Sequence, residues 1–301
     1  METTVALRVD VDTRRGLDEG VPRLLELFRR AHVRASFFVT MGPDRSGMAI
    51  RRAWRPSFLW KMWRTNPVKL YGFRTLLSGT LFPPRDVGAG APELLRQIAG
   101  EGHEIAPHGY DHVGWQDRVH RLSGSLIRAD LAQAVSAFEN VFGRPPHASA
   151  APGWRTTPEA LRIQEEFGFH YASDVRGVTP FRPLVGGRPL DTVQLPTTMP
   201  TIDELLGQHR DLVGRLMAAV RPGLNVFTLH AEVEGGPLLP VFQEFLDRVR
   251  RAGGKLTCLL DVTEQVVAHG ALPPSYPVSC GTTSGRASWV AMQTACAEPV
   301  A

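Results

Sequence analysis

Val5-Ala-Leu-Arg-Val-Asp-Val11 opens the chain with a short β-branched run that ends at carboxylates, Asp10 and Asp12. A helical face of Leu24, Leu25, Leu27 and Phe28 follows, so the stretch predicts a strand leading into an amphipathic helix. The unit repeats. Strand-like runs recur at Ala35–Val39, Glu104–Pro107, His147–Ala151, His170–Ser173, Thr192–Leu195, Val226–His230 and Leu256–Leu260. Most lead into a helical pattern. Thr157-Pro-Glu159 supplies an N-cap with proline at the first helical position, and Thr201-Ile-Asp-Glu204 fits a capping box. The helical pattern from Leu238 to Arg251 closes on basic residues and Gly253. Eight strand-then-helix units predict an α/β fold, a distorted (β/α) barrel of seven or eight strands. A doubly wound open sheet ranks second, because no phosphate-binding glycine fingerprint follows the first strand.

The expected organisation is one barrel over residues 1–270, an insertion at 40–90 after the second strand, and an irregular Ser-, Thr-, Gly- and Pro-rich tail at 271–301. The 301 residues are 43% hydrophobic and 21% charged, which excludes a disordered chain. Three scattered cysteines exclude a disulfide framework and a cysteine-based zinc module. The first residues run straight into the strand and leave no room for a signal peptide, and no 18-residue apolar run exists. The expected compartment is the cytoplasm.

The net charge of +4 is unevenly placed. No acidic residue lies between Asp44 and Asp86, where Arg45, Arg51, Arg52, Arg55, Lys61, Arg64, Lys69, Arg74 and Arg85 cluster, leaving a mildly acidic remainder. Trp54, Phe58, Trp60, Trp63, Tyr71, Phe73 and Phe82 are interleaved with them. Rings among cations suit a bilayer interface with anionic lipid, and Trp54, Phe58, Trp60, Trp63, Arg64, Tyr71 and Phe73 are the expected membrane contacts. A barrel cap is the plainer reading. Single-stranded nucleic acid also takes such pairs, but no nucleic-acid motif accompanies them.

Reactive groups in barrels sit at C-terminal strand ends. Asp10 and Asp12 are two apart on the first strand and so share a face. The third strand ends in His108-Gly-Tyr-Asp-His112, where two histidines four apart can converge on one metal. With Asp12 they make two imidazoles and one carboxylate, a set that suits zinc hydrolysis and equally the facial triad of non-haem iron oxygenases. His230 ends the seventh strand and can protonate a leaving group. Ala151-Pro-Gly-Trp-Arg155 and Ser173-Asp-Val-Arg-Gly177 follow two other strands and carry charges able to orient an acid or base.

Together these elements resemble the polysaccharide deacetylase (NodB-homology) superfamily of metal-dependent amide hydrolases. Asp10-Val-Asp12, His108-x3-His112 and Leu229-His230 match three of its motifs, and Pro152-Gly-Trp-Arg155 and Asp174-x-Arg176 correspond in place. Leu7–Thr13, Gly20–Leu25, Phe58–Met62, Ser149–Arg155, Pro180–Pro183 and His230–Gly235, with Gly285, Arg286 and Trp289, look like the 4-deoxy-4-formamido-L-arabinose-phosphoundecaprenol deformylases.

The resemblance implies an enzyme at the cytoplasmic face of the bacterial inner membrane. It would remove formate from the formamido sugar on undecaprenyl phosphate, and the free amine would serve lipid A modification and polymyxin resistance. Deacetylation of another N-acylated glycan and a non-catalytic polyprenyl-lipid-binding role are the alternatives. The implied metal is zinc, with manganese or cobalt able to replace it, on Asp12, His108 and His112. Asp10 would be the base, held ionised by Arg155. His230 would be the acid, raised by Asp174. Trp154, Arg176, Glu232 and Glu234 are candidates for contact with the sugar or its new ammonium; for the two glutamates a solvated acidic loop competes.

Overall fold

The structure, a computed structural model, describes residues 2–52, 72–268 and 272–294. In chain order the strands are β1 (Thr3–Val11), β2 (Ser36–Val39), β3 (Glu104–Pro107), β4 (Ala148–Ser149), β5 (Tyr171–Ala172) and β6 (Arg182–Val185). Then follow β7 (Arg188–Pro189), β8 (Val193–Gln194), β9 (Gly223–His230), β10 (Lys255–Thr257), β11 (Ser275–Gly281) and β12 (Val290–Gln293).

β1 is buried from Val5 to Val11, so both of its faces are covered. It pairs in parallel with β9 along one side and with β2 along the other, and β2 pairs with β3. β4, β5 and β8 form a second parallel sheet. A few backbone hydrogen bonds close the two seams. The Ala150 N–H donates to the Pro107 carbonyl at 3.2 Å, and the Thr198 and Met199 N–H groups donate to the Val226 carbonyl at 3.1 and 3.2 Å. The expected barrel is thus a ring of seven strands, β1-β2-β3-β4-β5-β8-β9. The eighth predicted strand, β10, is only a short stave. β2 meets β1 from Arg8 upward, so only Thr4–Ala6 remain for β10, and a helix starts at Leu259.

The two faces of β1 separate two layers. Val5, Leu7, Val9 and Val11 face the helical layer, where Leu24 and Phe28, Leu95 and Ile98, Phe138, and Phe242 and Phe245 cover the ring. Ala6 faces the lumen with Phe38, Ala106, Ala148, Tyr171, Val193, Leu195 and Val226. By the period of two, Arg8 and Asp10 continue the lumen line of Ala6. Small alanines on β1, β3 and β4 leave room for the long Arg8 side chain.

The tail departs from the irregular form expected of it. β11 adds in parallel to β6, β12 turns back antiparallel on β11, and β7 completes this four-stranded sheet. Ala291 packs with Val175 and Phe181, a patch too small to show as periodicity among so many Ser, Thr and Gly. Backbone bonds from Val87, Gly88 and Ala89 to Gly42, Thr40 and Met41 tie the neck of the insertion. Of the expected membrane residues, Trp54, Phe58, Trp60, Trp63, Arg64 and Tyr71 lie outside the described residues. Phe73 is described and is 64% exposed, as are Leu81 (76%) and Phe82 (39%) beside it. Among the described residues no helix is long and apolar enough to cross a membrane.

Candidate active site

The ladder sets the site before any side chain does. Asp10 and His230 are register partners across β1 and β9, and His108 directly follows β3 on the far side of β2. His108 Nε2 lies 3.5 Å from both Asp10 Oδ2 and Asp12 Oδ1, and His112 Nε2 lies 3.2 Å from Asp12 Oδ2. The ligating atoms of Asp12, His108 and His112 all fall within 4.8 Å of one another. His108 Nδ1 is 2.9 Å from the Ala150 carbonyl. That carbonyl can only accept, so the proton sits on Nδ1 and Nε2 turns a lone pair to the site. Burial pushes His108 down to about 4, against the pull of Asp10 and Asp12, so it is neutral. His108 Nε2 and Asp12 Oδ1 are buried without hydrogen-bond partners among the described residues. Buried polar atoms do not stay unpaired without cause. Two imidazoles, a carboxylate and these orphaned atoms fit a divalent metal.

The ligand loop is held from below. Asp130, on the helix Gly124–Phe142, accepts the N–H groups of Tyr110 and Asp111, both at 3.2 Å. Asp111 caps the next helix through Gly114 N at 2.9 Å, so His112 starts a helix at a fixed angle. Nothing local in the sequence marks Asp130 for this.

Arg8, not Arg155, clamps Asp10. Its Nε donates to Oδ1 at 2.7 Å and its Nη2 to Oδ2 at 2.8 Å, while Nη1 reaches the Ser173 carbonyl and Oγ. Arg155 instead donates to the Gln116 carbonyl at 2.6 Å and lies over Trp289. Arg8 shares the lumen face with Asp10 two residues on, and that shared face was the available signal. Asp174 is likewise elsewhere. It accepts the Ala151 N–H at 2.7 Å and Gln194 Nε2 at 2.8 Å, and burial raises it. Burial would lower His230, but Asp203, Asp12, Glu234 and Asp10 outweigh it and leave the imidazole raised. Asp203, which the capping box places at a helix start and not beside His230, heads the carboxylates that favour the protonated imidazole. Asp12 also feels burial, yet His112, His108 and His230 hold it well below the ordinary carboxylate range.

The four sugar-contact candidates are buried and shape the site from behind. Glu232 Oε1 accepts from Asp12 N (3.1 Å), Thr13 N (2.7 Å) and Thr13 Oγ1 (2.7 Å), binding the metal-ligand loop to the acid's loop. Gly16 is required there, since a Cβ would lie 2.3 Å from that oxygen. Glu234 Oε2 accepts the His230 N–H at 2.7 Å. A solvated acidic loop is therefore excluded. Trp154 donates to Thr197 Oγ1 at 2.9 Å, and Arg176 pairs with Glu204 at 3.1 Å.

The polysaccharide deacetylase family model matches residues 2–172. The chain belongs to the polysaccharide deacetylase family. It is 36% identical over 296 residues, covering 97% of this chain and 95% of the relative, to a Shewanella sediminis protein described as "Probable 4-deoxy-4-formamido-L-arabinose-phosphoundecaprenol deformylase ArnD". A Wigglesworthia glossinidia brevipalpis protein of the same description is 32% identical over 285 residues, 92% of this chain and 98% of that one. Among solved structures, Puue allantoinase shares the fold with a TM-score of 0.60 at 17% identity, covering 88% of this chain and 90% of that one.

Two outcomes follow for this member of the family. Titration of the apo protein with zinc should show His108→Ala binding at least about a hundredfold more weakly, and Asp130→Asn about tenfold, since it removes only the support. Equal affinities would remove these residues from the metal centre. Glu234 gives a pH effect. Burial pushes it up to about 8 from 4.5. Between these values the folded state keeps a proton that the unfolded state has lost. Stability is complete below the unfolded value and falls as pH rises through about 8. Glu234→Gln should flatten that slope in thermal melts; parallel curves would show that Glu234 is not protonated.

Proposed function

We propose that the protein is a metal-dependent amide hydrolase that removes formate from 4-deoxy-4-formamido-L-arabinose linked to undecaprenyl phosphate. The product amine would serve lipid A modification and polymyxin resistance. The observation that carries this reading is the convergence of Asp10, Asp12, His108, His112 and His230 on one barrel mouth. It occurs in a chain whose deformylase-named relatives match it nearly end to end.

Asp12, His108 and His112 would hold the metal, zinc in our reading, with manganese or cobalt able to replace it. When bound, such an ion lowers the pKa of water and polarises the formyl oxygen. The remaining work falls to this chain. Asp10, fixed at both oxygens by Arg8, keeps lone pairs free to take the proton of the attacking water. His230, raised by Asp203, Asp12, Glu234 and Asp10 against the effect of burial, would give its proton to the departing sugar nitrogen. The C–N bond breaks, formate leaves, and the 4-amino sugar remains on the lipid.

Mass spectrometry of the formamido-sugar lipid should show loss of the formyl group, blocked by chelator. Asp10→Asn should lower turnover by about a hundredfold or more with metal still bound. Turnover at the wild-type rate would remove Asp10 from the base role, and loss of acetyl from N-acetylated glycans in its place would favour a deacetylase.

A peripheral position at the cytoplasmic face of the inner membrane belongs to the same reading. Phe73, Leu81 and Phe82 stand exposed at the flank of the basic insertion, with Arg85 66% exposed near them. Replacing the three with serine should weaken sedimentation with anionic vesicles by about tenfold or more, given roughly 1.5–3 kcal/mol for each buried large side chain. Unchanged sedimentation would refute the membrane contact.

A further inference from the structure

The C-terminal hairpin meets the active site through an exchange of arginines and tryptophans. The Arg286 guanidinium lies 4.6 Å from the centre of the Trp154 ring, and that of Arg155 lies 4.7 Å from the Trp289 ring. Each segment gives the other one cation and one ring. Glu204 holds Arg286 at 3.5 Å and Arg176 at 3.1 Å, and Arg176 also covers Trp154 at 5.0 Å. Gly285 permits the approach: its φ is 82°, and a Cβ would fall 2.2 Å from the Glu204 carbonyl. All of this beyond Arg155 lies outside the part matched by the family model, which ends at residue 172.

Trp154 needs such support. Its φ of 53° is left-handed, a conformation that a non-glycine residue keeps only where the surroundings fix it. Its ring meets the His230 imidazole edge to face, 6.4 Å apart at 87°. Its Nε1–H donates to Thr197 Oγ1, which bonds Thr228 Oγ1 at 2.7 Å, two residues before His230 on β9. A partly desolvated cation over the face of an indole is attracted by the ring and opposes that strain.

We propose that Arg286 is a positioning residue for the acid His230. It pins the Trp154 indole in its strained conformation, and the indole sets the plane of the imidazole. The C-terminal hairpin is then a working wall of the site. This rests on His230 being the acid of the deformylase reading. The test compares metal-loaded wild type, Arg286→Ala and Arg286→Lys. Arg286→Ala should lower kcat about tenfold while KM and metal content stay within about twofold, and Arg286→Lys, which keeps a cation over the ring, should recover most of the loss. Full activity in Arg286→Ala, no recovery in Arg286→Lys, or a loss that follows metal content would overturn the proposal. The imidazole NMR signal of His230, assigned by its disappearance in His230→Gln, separates this from the deformylase reading. It should move in Arg286→Ala and return in Arg286→Lys. A signal that stays in place overturns the proposal even if wild type releases no formate.

Discussion

A guanidinium and a carboxylate share one face of β1 inside the barrel, Arg8 at 0% and Asp10 at 2% exposure. Taking both ions out of water costs several kcal/mol for each, so the pair stands only if its geometry is complete. It is complete. Both Asp10 oxygens are taken by Arg8, a third nitrogen reaches Ser173, and Phe38 and Trp154 cover the plane, each at 5.3 Å. The pair therefore joins β1 to the loop after β5 across the lumen. Removing one partner would leave the other charge buried, at roughly 3–5 kcal/mol. The interaction that orients Asp10 is thus also part of what ties the barrel together.

The other carboxylates around the mouth divide by their neighbours. Asp12 is ringed by imidazoles and stays ionised. Glu232, Glu234 and Asp174 meet mainly backbone N–H groups and amides, and burial raises all three, to about 7 for Glu232 and about 8 for Glu234. The carboxyls that burial raises fasten loops, while Asp12, held low by its imidazoles, faces the metal-fit cluster.

Much of this was readable from spacing. The alternation of strand and helix located all seven staves, and the period of two placed Asp10 and Asp12 together. His108-x3-His112 and His230 fell at strand ends as barrel logic requires. The partners of Asp10 and His230 are harder to read. Arg155 lies in a motif and Arg8 in an apolar strand, yet lumen packing sets Arg8 on Asp10. Asp130 is brought in only through tertiary folding, with no local pattern to mark it, and the capping box around Asp203 announces a helix start, not a neighbour of His230. Glu232 and Glu234 look solvated beside Gly235 and Gly236. The buried N–H groups of Asp12, Thr13 and His230 need acceptors, and that need draws both carboxylates inward. The tail hid its strands because one small apolar patch suffices to dock them.

The same division separates what is rigid from what is adjustable. Asp10 and His230 are register partners on adjacent strands, so their separation follows from the spacing of a hydrogen-bonded ladder, about 4.8 Å between backbones. No loop movement can change it much. The insertion after β2 and the hairpin of β11 and β12 lie outside that ladder. The fold common to this chain and an allantoinase at 17% identity fits this arrangement, because shared backbone pairing needs little shared sequence. Two such parts carry exposed or charged groups: Phe73, Leu81 and Phe82 stand exposed at the flank of the basic insertion, and an arginine from the hairpin is set against the tryptophan beside His230. Selectivity among amide substrates would then arise at these two edges, while the backbone pairing of Asp10 with His230 stays fixed in the strands.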